Sequence, residues 1–169
     1  MIIRAGILTI SDKGSRGERV DTSGAVIRDM ISATERKVVK YEIVPDEAPM
    51  IAAKLKDWAD SGEVDVILTT GGTGLGPRDV TPEATLSVID KTVPGFAEVM
   101  RVKTFDAAPV SILSRAVSGA RKKCLIINLP GSPKAVRECL DVIIIPIIHG
   151  VEMLTGAVTE HAHTDHPES

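Results

Sequence analysis

Aromatic residues are nearly absent from this chain: one Trp, one Tyr and two Phe make up 2% of its 169 residues. Its core must therefore be aliphatic. Proteins that bind single-stranded nucleic acid stack bases on aromatic rings and present a basic surface, whereas this chain has a formal net charge of −3. These two shortages argue against nucleic acid as a partner. They also require any anionic ligand to be held by local hydrogen-bond donors.

Cysteine is scarce as well, and no long apolar run is present. Cys124 and Cys139 show neither a Cys-x-x-Cys motif nor the Cys/His spacing of structural zinc sites, so we expect two buried free thiols. The most apolar segment, residues 142–148, is too short to span a bilayer and is interrupted by Pro146. Because the first residues run directly into a strand pattern without a signal peptide, we expect a soluble cytoplasmic protein that has no membrane partner.

What the chain does contain is an alternation of short apolar runs and amphipathic segments. The runs predict strands at residues 2–10, 37–44, 64–69, 114–122 and 124–129, and helical spacing predicts helices at about 21–31, 49–61, 82–89, 96–105 and 134–154, the last kinked at Pro146. This alternation predicts a three-layer α/β/α fold with a mainly parallel sheet, in one domain over residues 1–155. Residues 156–169 are polar and lack a period, so we expect a disordered tail in which four potential ligands, His161, His163, Asp165 and His166, hold no metal.

Four polar loops follow predicted strands. They are Ser11-Asp12, residues 45–47, residues 71–74 and residues 130–132. In sheets of this kind, ligands bind beyond the carboxyl ends of the strands. We therefore expect the four loops to gather on one edge of the sheet and to form the site there.

The third of these loops is rich in glycine and reads Thr70-Gly71-Gly72-Thr73-Gly74. Glycine lets the backbone approach a ligand closely, and successive N–H groups can form an anion-binding nest. The loop is not a P-loop, because no Gly-Lys-Ser/Thr follows, and it is not a dinucleotide fingerprint, because Pro77 stands at the third glycine position. Two interpretations stay open: a cradle for phosphate or pterin, or a turn that merely needs positive φ.

Charged residues flank the glycines. Arg78 can fork onto a phosphate, and Asp79 can either hold a divalent cation or cap the short helix that follows it. Asp46, which alone would be an ordinary turn acid, lies on a neighbouring loop. Two carboxylates with glycine-rich donors between them suit Mg²⁺-assisted transfer at phosphorus. Further donors, each of which alone would be an ordinary turn or surface residue, are Ser114, Arg115, Gly131 and Ser132.

Several longer motifs occur in a fixed order along the chain. The glycine-rich segment continues into PRDVTPEAT at residues 77–85, and around it lie LTISD at 8–12, VPDE at 44–47, PGF at 94–96, LSRAVSG at 113–119 and LIINLPGSPKAV at 125–136. This linked set, spread over residues 2 to about 154, closely resembles the MogA/MoaB family of molybdenum-cofactor biosynthesis.

The resemblance implies a molybdopterin adenylyltransferase. Such an enzyme uses ATP, molybdopterin and Mg²⁺, works as a homotrimer, and acts ahead of a molybdenum insertase. The family's two functional acids, which are also the expected metal ligands, fall on Asp46 and Asp79, its pterin-binding loop falls on residues 71–74, and its ligand-contacting serine falls on Ser114. We expect further substrate contacts from Ser11, Asp12, Thr70, Gly71, Gly72, Thr73, Gly74, Arg78, Thr81, Arg115, Pro130, Gly131 and Ser132.

Two other functions remain open for a chain with these motifs. One is a MoaB-like protein that binds molybdopterin without turnover. The other is a nucleotide pyrophosphatase like the related domain of CinA-type proteins. For the trimer, we expect the apolar stretch at residues 142–148 to be buried between subunits.

Overall fold

The structure, a computed structural model, describes residues 1–33 and 35–157. Its strands are β1 (Ile3–Ile10), β2 (Arg36–Val44), β3 (Val66–Thr70), β4 (Lys91–Thr92), β5 (Ser118–Arg121) and β6 (Cys124–Leu129). Its helices are α1 (Asp12–Ser15), α2 (Thr22–Ser32), α3 (Ala48–Asp60), α4 (Thr81–Leu86), α5 (Gly95–Thr104) and α6 (Pro133–Thr155), with a 3-10 helix at Pro109–Leu113. The strands form one sheet in the order β2-β1-β3-β6-β5-β4, parallel from β2 to β6 and antiparallel at the β5 and β4 edge.

Helices cover both faces of this sheet, which confirms the predicted three-layer α/β/α class. α2, α5 and α6 pack on one face, and α3 and α4 pack on the other. The two helical layers contribute buried side chains that are mostly aliphatic, among them Ile27, Ile31, Met100, Ile143 and Ile147 on the first face and Ile51, Leu55 and Trp58 on the second. The expectation for the cysteines is confirmed too: Cys124 and Cys139 are free and buried, and burial raises the pKa of Cys124 to about 12.

The strand predicted at residues 114–122 is only partly correct. Its last part forms β5, but the four residues before β5 are not a strand. The reason is a long-range contact: Arg115 donates its backbone N–H to the carbonyl oxygen of Thr73 at 2.8 Å. This bond ties the segment to the glycine-rich loop and keeps it out of the sheet. β4 and the 3-10 helix were not predicted, since neither has a clear periodic pattern.

The stretch at residues 142–148 packs partly on the core of its own chain, so the prediction that it is buried between subunits is wrong for Ile143 and Ile147 and stays a prediction for the other residues. It lies within α6, which continues through Pro146. Ile143 and Ile147 are fully buried against the sheet, whereas Ile145, at 75%, and Pro146 are exposed. Spacing of four residues puts the first two on the same helix face. No helix among the described residues is long and apolar enough to cross a membrane. The expected tail falls largely outside the described residues.

Candidate active site

The loops at the carboxyl ends of the parallel strands are joined to one another by hydrogen bonds, as the sequence predicts. Asp12 donates its backbone N–H to Asp46 Oδ2 at 2.8 Å, and Asp46 donates its backbone N–H to Asp12 Oδ1 at 3.0 Å. On the other side of β1, the Thr70 hydroxyl donates to the carbonyl oxygen of Pro130 at 2.7 Å. The ends of β1, β2, β3 and β6 therefore form one continuous surface at this edge of the sheet.

Residues 71–74, which we call the glycine loop, need glycine at their first two positions. Gly71 has φ of 98° and Gly72 has φ of 69°, a region that side-chain-bearing residues rarely adopt. A Cβ at Gly71 would also collide with the carbonyl oxygen of Ile10, and one at Gly72 would collide with Thr81 Oγ1. The interpretation of this loop as a turn that needs positive φ is thus correct for Gly71 and Gly72.

The glycine loop makes more hydrogen bonds than a simple turn needs, because each of its four carbonyl oxygens accepts a hydrogen bond from a residue outside the loop. Thr81 donates its hydroxyl to Gly71 O at 2.9 Å and its backbone N–H to Gly72 O at 3.1 Å. Arg115 donates its backbone N–H to Thr73 O and its Nε–H to Gly74 O, each at 2.8 Å. Within the described residues, no hydrogen bond uses the N–H groups of Gly72, Thr73 or Gly74. Successive free N–H groups of this kind can bind an anion.

The two acids singled out by the sequence flank the glycine loop. Asp46 Oδ1 would lie 3.3 Å from a Cβ on Gly72, and Asp79 Oδ2 would lie 2.9 Å from a Cβ on Gly74. The pKa of Asp46 is raised above its ordinary value, chiefly because the carboxyl group is partly buried, and the nearby charges of Asp12 and Asp79 add to this effect. A cation between the acids would offset that repulsion.

The structure excludes the helix-capping interpretation of Asp79. Val80 occupies the N-cap position of α4 and makes no side-chain capping bond. The Asp79 carboxylate instead accepts a hydrogen bond from the Gly76 N–H at 2.8 Å. That bond closes a short turn and holds the carboxylate beside the glycine loop.

Arg78, expected on a phosphate, has its guanidinium engaged by two carboxylates here. It donates two bonds of 3.0 Å to Asp12 and one of 2.9 Å to Glu47. Its hydrogen bonds hold the pKa of Asp12 below the ordinary value. The side chain is 55% exposed and bridges three strand ends.

Arg115 and Thr81 face the back of the glycine loop. In addition to Gly74 O, Arg115 donates to the carbonyl oxygen of Asp79 at 2.8 Å and to the Glu83 carboxylate. Thr81 is fully buried. Both side chains thus contribute to the site through the loop that they hold.

Two cavities meet at this edge. The first, about 780 Å³, lies beside the N-termini of α2 and α6 and is lined by polar groups that include Ser11, Asp46, Thr70, Gly71, Gly131 and Ser132. The second, about 490 Å³, lies between α5, the 3-10 helix and α6 and has more apolar walls; predicted site residues in it are Thr73, Gly74, Ser114, Pro130, Gly131 and Ser132. The remaining predicted residues, Asp12, Gly72, Arg78, Asp79, Thr81 and Arg115, line neither cavity. The glycine loop contributes to both cavities and stands between them.

Several lining residues were not predicted from the sequence. Asp21 and Ser23 were predicted only as part of the helix start at about residue 21, yet both line the first cavity. Asp21 does cap α2 through the Gly24 N–H at 2.9 Å and also accepts a bond from the Thr9 hydroxyl at 2.6 Å. Ser23 donates to Gly131 O at 2.5 Å and so joins the two helix starts. The available signal was a polar helix start, Asp21-Thr22-Ser23, in the connection that follows the expected site loop Ser11-Asp12.

The donor set of the site fits Mg²⁺ bound together with phosphate. Among residues 1–33 and 35–157, no group of three or more His, Cys, Asp or Glu side chains could hold a metal alone. Mg²⁺ usually takes one or two protein carboxylates and completes its shell with water and substrate phosphates. Asp46 and Asp79 supply that number of carboxylates beside free N–H groups.

The chain is similar to known proteins over most of its length. The family model described as "Probable molybdopterin binding domain" matches residues 6–150. The chain is 43% identical to the molybdopterin adenylyltransferase of Helicobacter pylori strain J99 over 156 residues, which cover 91% of this chain and 89% of that protein. It is 38% identical to the molybdopterin adenylyltransferase of Escherichia coli K12 over 161 residues, 94% of this chain and 78% of that protein.

Among solved structures, the molybdopterin biosynthesis enzyme MoaB from Thermus thermophilus superposes with a TM-score of 0.87 at 50% identity, and the match covers 92% of this chain and 98% of that one. These matches extend over nearly all of the described fold, including every loop of the site. The chain therefore belongs to the MogA/MoaB family of molybdenum-cofactor biosynthesis.

Proposed function

We propose that this protein is a molybdopterin adenylyltransferase, which transfers AMP from ATP to the terminal phosphate of molybdopterin and releases pyrophosphate. The observation that carries the proposal is the hydrogen bonding of the glycine loop. All four of its carbonyl oxygens accept hydrogen bonds from Thr81 or Arg115, and three successive N–H groups between the two acids have no hydrogen-bond partner among the described residues. The names of the bacterial relatives support the same reaction. We place this reaction in the cytoplasm, upstream of a molybdenum insertase.

Two cavities on either side of one anion-binding loop suit two anionic substrates. The first cavity has polar walls and lies beside the starts of two helices, α2 and α6, which favours the phosphates of ATP. The second is more apolar and carries the Ser114 hydroxyl, which favours the pterin ring system. Gly131 and Ser132 line both cavities, so the reacting phosphates would meet beside these two residues.

In the proposed reaction, an oxygen of the molybdopterin phosphate attacks the α-phosphorus of ATP. The bond from the α-phosphorus to the bridging oxygen of the β-phosphate breaks, and pyrophosphate leaves with that oxygen. No general base is required, because the nucleophile is already an anion. The free N–H groups of the glycine loop offset the repulsion between the two substrates and stabilise charge on the oxygens in the transition state.

Asp46 and Asp79 would hold Mg²⁺, which when bound supplies positive charge to the triphosphate. For the chain itself, Asp12 positions Asp46 through their reciprocal backbone bonds, and the Gly76 N–H positions Asp79. Their orientation is thus set before any ligand arrives, which lowers the cost of forming the site.

A MoaB-like protein that binds molybdopterin without turnover is the second candidate, and the family description, "Probable molybdopterin binding domain", which names binding and no reaction, favours it. Incubation with ATP, Mg²⁺ and molybdopterin separates the possibilities. Adenylyl-molybdopterin with stoichiometric pyrophosphate would support the transferase, and tight retention of unmodified pterin would support the carrier. Nucleotide hydrolysis without pterin would indicate a pyrophosphatase instead.

For the assembly, we propose a homotrimer whose interface includes the outer surface of α5 and the 3-10 helix. Large apolar side chains are exposed there: Val102 at 71%, Phe105 at 41%, Val110 at 71% and Ile112 at 60%. Val102, Phe105 and Ile112 line one surface groove, and an exposed apolar surface of this kind usually lies against a partner. Light scattering should give three times the chain mass of 18.0 kDa, and Ile112→Asp should lower that mass. A parent protein that is monomeric at micromolar concentration would contradict the trimer.

A further inference from the structure

Asn128 is the fifth of the six residues of β6, and the other five are all apolar. It is fully buried, and burying an amide is costly unless its groups are hydrogen-bonded. Here they are: Nδ2 donates to Thr69 Oγ1 and to Thr85 Oγ1, each at 3.0 Å, and Oδ1 accepts from the Val117 N–H at 3.2 Å. A polar residue satisfied in three directions inside an aliphatic core calls for a structural explanation.

One of these directions leads to the first half of the glycine loop. The Thr85 hydroxyl, which accepts from Asn128, donates to the carbonyl oxygen of Thr81 at 2.9 Å. Thr81 in turn holds the carbonyl groups of Gly71 and Gly72. Thr81 and Thr85 are fully buried, so water does not compete for these bonds. The path from the core to the loop consists of three hydrogen-bonded steps.

A second direction leads to the other half of the loop. Asn128 also donates its backbone N–H to the carbonyl oxygen of Val117 at 3.0 Å, so the backbone of Val117 is held at both its N–H and its carbonyl group. Two residues earlier along the chain, Arg115 holds the carbonyl groups of Thr73 and Gly74. The same segment carries Ser114 into the second cavity.

We propose that Asn128 is a positioning residue for the active site. Its side chain bonds to both α4 and the segment before β5 and so fixes their relative position. Residues of these two elements donate the hydrogen bonds that fix the four carbonyl groups of the glycine loop. Because a peptide group is planar, fixing the carbonyl groups also fixes where the free N–H groups point. What those groups bind rests on the proposed function, but the positioning of the loop does not.

The amide of Asn128 fits this role better than other side chains of its size. The site needs two hydrogen-bond donors and one acceptor in fixed directions, and the uncharged amide of Asn supplies all three. Asp lacks the two donors, and Leu would leave the Val117 N–H and the Thr69 hydroxyl without partners and would remove the bond to Thr85. Since substitutions at Asn128 itself can prevent folding, the test is made at Thr85.

Thr85→Val keeps the side-chain shape but removes the hydroxyl that joins Asn128 to Thr81. We expect adenylyl transfer to slow about ten- to a hundredfold, the scale on which a misplaced reacting group affects rate. We also expect faster hydrogen exchange at the Thr81 amide, followed by NMR without substrates, because its bond to Gly72 O is then held less firmly. Thr85→Ser retains the hydroxyl and should restore both properties.

Thr155→Val is the matched control, because Thr155 makes the same helix bond, from its hydroxyl to the carbonyl oxygen four residues earlier at 2.8 Å, at the end of α6. It should leave Thr81 exchange and turnover at the parent level. The proposal is overturned if Thr85→Val behaves like the parent in both assays, if Thr85→Ser fails to rescue, or if the control changes both properties equally. If the parent itself transfers no adenylyl group, the proposed function fails, and the exchange data alone decide whether Asn128 positions the loop.

Discussion

Asp79→Asn is expected to lower the rate of adenylyl transfer about a hundredfold or more, the effect of removing one electrostatic contact to a transition state. The amide oxygen can still accept the bond from the Gly76 N–H, so the turn beside the glycine loop should persist. What is lost is the negative charge that a divalent cation requires. Pyrophosphate release measures the rate, and a titration with molybdopterin should show unchanged binding.

The control for this substitution is Asp29→Asn, which removes the same charge from a side chain that is 69% exposed and paired with Arg28. It should turn over like the parent. Since Asp79 does not cap α4, loss of helix stability cannot account for a slower rate. Parent-level turnover of Asp79→Asn would show that the metal role assigned to Asp79 is wrong.

Gly72→Val is expected to act on binding rather than on the chemical step, and to weaken molybdopterin binding about tenfold or more, the scale of several lost or misdirected hydrogen bonds. The new Cβ would collide with Thr81 Oγ1 and come within 3.3 Å of Asp46 Oδ1. Both contacts would push the loop out of the arrangement that leaves its N–H groups free. Holding a β-branched residue at φ of 69° also costs about 1–3 kcal/mol of stability.

Gly62→Val separates these two effects. Gly62 has φ of 72°, and a Cβ there would meet nothing within 4 Å, so this variant carries the backbone strain without any contact to the site. Thermal unfolding should show the loss from backbone strain in Gly62→Val and a loss at least as large in Gly72→Val, and a pterin titration should show weaker binding only for Gly72→Val. Equal binding by the two variants would exclude the cradle role of the glycine loop.

The fold class and the edge of the sheet that carries the site could both be predicted from the sequence alone. Continuous apolar runs as short as the one that forms β3 are typical of strands covered on both faces, and their alternation with helical patterns leaves few topologies. Once the sheet is parallel, residues that follow its strands must meet at one edge. That is why Ser11, Asp46 and Gly71, which are distant in sequence, could be placed together before the structure was known.

The tertiary structure alone decided what most of the polar side chains at that edge do. Arg78 and Arg115 are both arginines in site motifs, yet one bridges the carboxylates of Asp12 and Glu47, and the other holds backbone carbonyl groups 36 to 42 residues away. Periodicity reports only neighbours along the chain, whereas a hydrogen-bond partner depends on how separate elements are oriented. The same limit hid the role of Asn128, whose position in an apolar strand indicates burial but not a partner.

The sequence is limited in the same way for the apolar residues. Hydropathy identified residues 142–148 as apolar but could not tell a helix face that packs on the sheet from one that meets another subunit. Rotation of α6 buries Ile143 and Ile147 inside the chain, while Val102 and Ile112, in segments of ordinary hydropathy, are left exposed. Local sequence thus sets which residues avoid water, and only the packing of one element against another decides where each of them goes.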